Sequence, residues 1–330
     1  MSVVIETIAS EVLKANPLND THERRVPIYL PPDYDVSEQR YPVVYFLAGF
    51  SGGGVYLLGE SMWGETLPQR VDRLVRSGAV RPLIVVMPDC LTRYGGSQYI
   101  NSAGTGRYAD HLIGELVPHI DGRYRTLADR EHRVVMGKSS GGYGASVLAM
   151  RRPDVFGLAA DHSGDKYFEL CYRADIPASV AALARYDHSA ARFVAGFPHA
   201  PTERGRHWFT LVNMVAMASC YSPNPAAPAG FDLPFDEYTA ELRRDVWARW
   251  LVHDPIELAA THAEALRSLR LYYIDCGRSD EHHLQYGDRI YSSRLTGLGV
   301  PHTYDEFDGG HMNVGHRYDV SLRAISAALA

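Results

Sequence analysis

The stretch RVVMGKSSGGYGASVLAM, residues 133–150, sets two serines side by side between glycines. Arg133 to Met136 is a short apolar run with β-branched residues, the pattern of a strand. Tyr143 to Met150 is rich in Ala, Leu and Met at helical spacing. Between them Gly137-Lys138-Ser139-Ser140-Gly141 fits G-x-S-x-G, a sharp strand-to-helix turn that exposes a nucleophile. The serine backbone in such a turn is strained, so the residues two before and two after it must be small. Centring on Ser139 puts Gly137 and Gly141 at those places, whereas centring on Ser140 puts Lys138 where its side chain clashes. Ser139 is therefore the candidate nucleophile, and the Ser140 N–H a candidate oxyanion donor. A Gly-rich turn with two ordinary serines shares the pattern, so the reading depends on a base and an acid elsewhere.

Around this turn, apolar β-rich runs alternate with helical patterns, as in an α/β sheet. Strands are expected at Val3–Val12, Arg25–Leu30, Pro42–Ala48, Pro82–Met87, Phe156–His162, Leu269–Cys276 and near 302–307. Of these, Pro42–Ala48 and Pro82–Met87 are continuous apolar runs suited to central strands buried on both faces. Helices are expected at Thr66–Ser77, Arg107–Ile120, about 284–298 and Tyr318–Leu329. The rhythm breaks over residues 165–265, which show aromatic helical patches and Pro-rich loops but no core strand. Because sheet strands flank that stretch, it reads as a mainly helical cap inserted into a core made of residues 1–164 and 266–330.

The base and acid follow from chain order. With a nucleophile on such a turn, the acid comes from the loop after the next-to-last strand and the histidine from the loop after the last. Of fifteen histidines, His311 in Asp308-Gly309-Gly310-His311 occupies that final loop. His302 lies at the wrong end of the strand, His316 is the weaker alternative, and His282 and His283 sit too close to the acid loop. Asp280 lies four residues past the strand end and is the expected acid, with Glu281 as a substitute. Asp275 is still within the strand and is expected to point along it. The loop after Pro42–Ala48 should supply a second oxyanion donor, the Phe50 N–H.

Composition narrows the partners. A 46% hydrophobic and 22% charged chain of 330 residues is ordinary for a soluble globular protein. A net charge of −6 argues against nucleic acid and anionic membranes. No apolar run approaches the ~20 residues a membrane span needs, and no secretory signal pattern opens the chain. Cys90, Cys171, Cys220 and Cys276 are scattered without a C-x-x-C pair, which reads as reduced thiols in a cytoplasmic protein. Adjacent His282 and His283 are poorly placed to chelate one ion, so no metal or other cofactor is expected. A homo-oligomer is left open.

These motifs resemble the esterase D / enterochelin esterase-like branch of the α/β-hydrolases. The resemblance rests on NPLNDTHERRVPIYLPPDYD (16–35), PVVYFLAGFSGGG (42–54), LIVVMPDC (83–90) and GGSQYINSAGTGRYAD (95–110), then the elbow, VFGLAADHSGD (155–165), CGRSDEHH and DGGHM. It implies an α/β-hydrolase fold and a serine ester hydrolase that takes a small-acyl or aryl ester through an acyl-enzyme. Alternatives are acyl transfer by the same triad or a non-catalytic ligand-binding relative. Two departures stand out. Ala48-Gly49 replaces a common His-Gly at the oxyanion loop, and Lys138 and Ser140 flank the nucleophile where a hydrophobic residue and Met are common. Lys138 can meet an anionic substrate group, but a solvated or structurally paired lysine is the expected reading. Tyr99, Asn101 and Ser102, in a family-like loop at the catalytic end, and Trp63, beyond the oxyanion loop, are candidate pocket residues. Phe193, Phe197, Trp208, Phe209 and Tyr221 are candidates for an acyl- or aryl-binding wall, with most expected in the cap's own core.

Overall fold

The structure, a computed structural model, describes residues 1–62, 64–197 and 207–329. Among these, eight strands form one sheet: β1 (Ser2–Ala9), β2 (Glu23–Leu30), β3 (Val43–Leu47), β4 (Ile84–Val86), β5 (Arg133–Lys138), β6 (Leu158–His162), β7 (Leu271–Gly277) and β8 (Thr303–Phe307). Their order is β1-β2-β4-β3-β5-β6-β7-β8. β1 and β2 pair antiparallel, and β2 meets β4 antiparallel; every later pairing is parallel. The continuous apolar runs do lie inside, since every residue of β3 and β4 is buried. Side chains alternate across the sheet: Val43, Tyr45 and Leu47 enter one core cluster, Val44 and Phe46 the other.

Helices that matter for the site are α1 (Leu67–Arg76), α2 (Ser140–Arg151), α3 (Trp208–Tyr221), α4 (Leu284–Gly297) and α5 (Gly315–Ala328). The helix expected at Thr66–Ser77 shows how its ends are written. Thr66 accepts the Gln69 N–H and Gln69 answers to the Thr66 backbone, a capping box, so Thr66 and Ser77 are caps and not helical residues. The helix expected at Arg107–Ile120 is not one regular helix. It runs Tyr108–Asp110, then π-helical His111–Leu116, then Val117–Arg123. Pro118 explains the break, because its ring lacks an N–H and crowds the carbonyl four residues back.

Between β6 and β7 the described residues contain helices and no strand of the main sheet. Phe168, Tyr172, Tyr221 and Trp250 stack with centroids 4.7 to 6.3 Å apart. They share a core with Phe50, Tyr94 and Tyr143 from the sheet's loop end. The last two helices of that stretch, Pro255–Thr261 and Ala263–Arg267, instead put Ile256, Ala259 and Leu266 into the core against the sheet. All four cysteines are buried, unpaired thiols. No helix among the described residues is long and apolar enough to cross a membrane.

Candidate active site

Ser139 sits at the tip between β5 and α2 with φ 60° and ψ −128°, a conformation an L-residue keeps only when its surroundings enforce it. The enforcement is visible in the two glycines. A Cβ on Gly141 would lie 2.0 Å from the Leu47 carbonyl oxygen, and one on Gly137 would lie 2.4 Å from that of Gly141. The Ser139 N–H donates to the His162 carbonyl at 2.9 Å, fastening the turn to β6.

His311 reaches this tip from the loop after β8. Its Nε2 lies 2.9 Å from Ser139 Oγ, and its Nδ1 lies 2.8 Å from Asp280 Oδ2. With Nδ1–H donating to the carboxylate, Nε2 is left as the acceptor of the serine proton. Asp280 Oδ1 accepts the His282 N–H at 2.9 Å. Glu281, the alternative acid, has a different contact, accepting the backbone N–H of His311 on Oε2 at 2.7 Å. The two loops meet closely, because a Cβ on Gly277 would come within 2.5 Å of the Gly309 carbonyl oxygen. Both rival histidines are engaged elsewhere: His302 pairs with Ser292, and His316 bonds the Asn313 carbonyl.

The electrostatics suit a base. Burial pushes the His311 imidazole below its ordinary 6.5, the Asp280 hydrogen bond pulls it back part of the way, and the Lys138 charge lowers it further. Burial on its own would raise the Asp280 carboxyl, but its hydrogen bond and charge attraction to His311 bring it below its usual 3.8.

A cavity of about 410 Å³ opens over Ser139. Phe50 and Ser140 both line it, and Ser140 is the first residue of α2, whose N–H has no carbonyl within its own helix to reach. Asp165 forms part of the wall, its Oδ2 accepting from Tyr172 Oη at 2.7 Å and Gln98 Nε2 at 3.0 Å. Tyr56, Phe209 and Met312 line the cavity while remaining 68%, 51% and 64% exposed, so its mouth is an apolar collar.

Three pocket candidates are corrected. Tyr99 is buried outside the cavity and donates its hydroxyl to the Ala48 carbonyl at 2.6 Å, which anchors the start of the Phe50 loop. Asn101 and Ser102 face a different, shallow depression; Asn101 Oδ1 accepts the Asp110 N–H and Ser102 Oγ donates to the Ser219 carbonyl. Trp63 lies outside the described residues. Lys138 lines the cavity, half-buried, and among the described residues it is in no ion pair. Of the aromatic wall, Phe209 reaches the cavity, whereas Tyr221 is buried in the aromatic core and Phe193, Phe197 and Trp208 pack on one another. His282 packs edge-on to His311, and His283 lies against Tyr286.

The sequence reading missed a second Ser-His-Asp array. His162 at the end of β6 bonds Asp275 Oδ1 through Nδ1 at 2.6 Å and Ser321 Oγ through Nε2 at 2.9 Å. Asp275 does not point along its strand. Its Oδ2 accepts from Tyr273 Oη and Arg317 Nε, each at 2.9 Å. A signal existed, since Asp161-His162 ends the otherwise apolar strand expected at Phe156–His162, and polar groups that such a strand buries demand partners.

Sheet order, elbow and loop placement define a protein of the α/β-hydrolase fold. Solved structures agree. A ferulic acid esterase superposes with a TM-score of 0.64 at 22% identity, covering 100% of this chain and 98% of that one. An S-formylglutathione hydrolase from Agrobacterium tumefaciens gives 0.60 at 17%, covering 99% and 95%. The chain belongs to the Esterase family, whose model matches residues 20–329. Among curated relatives, Esterase Rv1288 of Mycobacterium tuberculosis is 27% identical over 317 residues, 92% of this chain and 56% of the relative. The Endo-1,4-beta-xylanase/feruloyl esterase of Xylanibacter ruminicola is 31% identical over 144 residues, 42% of this chain and 19% of the relative. The chain thus spans about half the length of the first and a fifth of the second.

Proposed function

We propose that the protein is a serine ester hydrolase working through an acyl-enzyme, with Ser139 as nucleophile, His311 as base and Asp280 as its orienting acid. The observation that carries this is the 2.9 Å approach of His311 Nε2 to a strained Ser139 Oγ at the floor of a cavity. In acylation, Ser139 Oγ bonds to the ester carbonyl carbon as its proton passes to Nε2. The Phe50 and Ser140 N–H groups receive the oxyanion. Collapse of the tetrahedral intermediate breaks the ester C–O bond, and the imidazolium gives its proton to the departing alcohol. Water, deprotonated by His311, repeats the sequence on the acyl-enzyme and releases the acid.

The helical stretch 165–265 acts as the cap in this reading, because Asp165, Tyr172 and Phe209 come from it and wall the cavity. A space of about 410 Å³ suits a small acyl or aryl group. Relatives named for feruloyl and S-formylglutathione esters point to the same range of carboxylic esters and thioesters. Hydrolysis of p-nitrophenyl esters from acetyl to long acyl chains tests this, with Ser139→Ala beside the native protein. Serine-dependent turnover that favours the short chains is the expected result. Turnover retained by Ser139→Ala would overturn the assignment.

A further inference from the structure

Lys138 carries a charge that the reaction above does not use. It ends β5 immediately before Ser139 and lines the same cavity as the nucleophile. Among the described residues it forms no ion pair, and its polar neighbour is the Met312 thioether, 4.0 Å from Nζ. The side chain is half-buried, so the ammonium has given up part of its hydration without gaining a direct counter-charge among the described residues. Burial pushes it down to about 8, even though Asp280, Asp165 and Glu281 pull the other way. Those carboxylates are engaged elsewhere: Asp280 Oδ2 and Glu281 Oε2 with His311, and Asp165 Oδ2 with Tyr172 and Gln98.

Position says which part of a substrate would meet this charge. Met312 follows His311, and His311 Nε2 is the atom that hands its proton to the leaving group. The ammonium lies 4.0 Å from the thioether of the residue after His311, so the leaving group, which takes its proton from His311 Nε2, is the substrate portion assigned to it. One lysine among several carboxylates suits a monoanion better than a doubly charged phosphate, which those carboxylates would repel.

We propose that Lys138 is a specificity-determining residue that pairs with a carboxylate carried by the alcohol or thiol portion of the substrate. The inference rests on the esterase reading, and the test separates the two. The substrates are 4-acetoxy-3-nitrobenzoate and its methyl ester, which release chromogenic phenols with and without a carboxylate. The readout is the ratio of kcat/KM for the carboxylate over the methyl ester, compared between proteins so that intrinsic reactivity cancels. Lys138→Met should lower that ratio about 10-fold, the scale of one charge-assisted hydrogen bond, and Lys138→Arg should largely keep it. A ratio equal in the native protein and Lys138→Met overturns the proposal. Turnover of either ester by Ser139→Ala would overturn the esterase reading instead. If neither ester turns over, calorimetric binding to Ser139→Ala decides. Tighter binding of the carboxylate, lost in Ser139→Ala/Lys138→Met, supports the pairing; equal binding of both esters refutes it.

Discussion

Two Ser-His-Asp arrays occur among the described residues, and distance alone does not tell them apart. Ser139–His311–Asp280 shows 2.9 and 2.8 Å; Ser321–His162–Asp275 shows 2.9 and 2.6 Å. What differs is everything around them. Ser139 is held at φ 60° on an elbow that opens to a cavity. Ser321 lies within α5 at 0% exposure, where no carbonyl carbon can approach. Asp280 serves its histidine and a backbone N–H, whereas Asp275 also accepts from Arg317 and Tyr273. The buried array is a fastener: it ties β6, β7 and α5 together, and the carbonyl of its own His162 holds the Ser139 N–H. A triad becomes a catalyst through access, strain and oxyanion donors, and without them the same three residues are scaffold.

The sharpest way to break this distinction is to delete the serines and acids in turn. Ser139→Ala should lose activity on the order of 10⁴-fold or more in ester hydrolysis, with its unfolding midpoint little changed. Asp280→Asn should follow at roughly 10³- to 10⁴-fold, since an amide cannot hold His311 in the required tautomer or stabilise its charge. Near-normal kcat/KM in either variant would remove the first array from catalysis.

Asp275→Asn should act on stability instead. It leaves His162 and Arg317 facing a neutral amide in a buried site, at a cost of about 3 kcal/mol in urea unfolding. The sign with pH follows from the folded state. Burial alone would raise the Asp275 carboxyl, but His162 and Arg317 bring it below 3.8. Its contribution is thus present above the unfolded carboxylate range and lost as pH falls through the lowered folded value. The gap between native and variant stability should close in acid, and a gap that persists there would assign the loss to packing. Ser321→Ala, which removes one buried hydroxyl from His162 Nε2, should cost about 1–2 kcal/mol and leave kcat/KM unchanged.

The same contrast explains what could be read from the sequence. The elbow was legible because its demand is local: Gly137 and Gly141 lie against carbonyls of neighbouring backbone, and no other residue fits. His311 and Asp280 were legible because loop order on a parallel sheet decides which end of a strand faces the nucleophile. Tyr99, Asn101 and Ser102 were misplaced because Gln98 and Tyr99 take φ 54° and 55°, a left-handed pair that neither residue type announces. That turn sends Tyr99 inward to Ala48 and the next residues away from the cavity. The second array was missed because Asp275, His162 and Ser321 lie on three elements whose register no local pattern reports.

The smallest expected effect concerns pH, and it touches His311, the proposed base, through Lys138. His311 must be neutral to accept the serine proton, so kcat/KM falls as pH drops through its pKa. Burial and the neighbouring Lys138 charge set that value below 6.5, so the native protein should keep its activity somewhat below the pH at which a free imidazole would lose it. Lys138→Met removes one of three depressing influences, leaving burial and the His282 charge, and with it the repulsion that Lys138 exerts on the imidazolium. The acid limb of the kcat/KM profile should therefore move up toward 6.5, measured on the neutral methyl ester so that substrate charge plays no part. Ser321→Ala, although it touches a histidine directly, should leave that limb in place, because His162 takes no part in the reaction. A limb that moves with Ser321 and not with Lys138 would exchange the roles assigned to the two arrays.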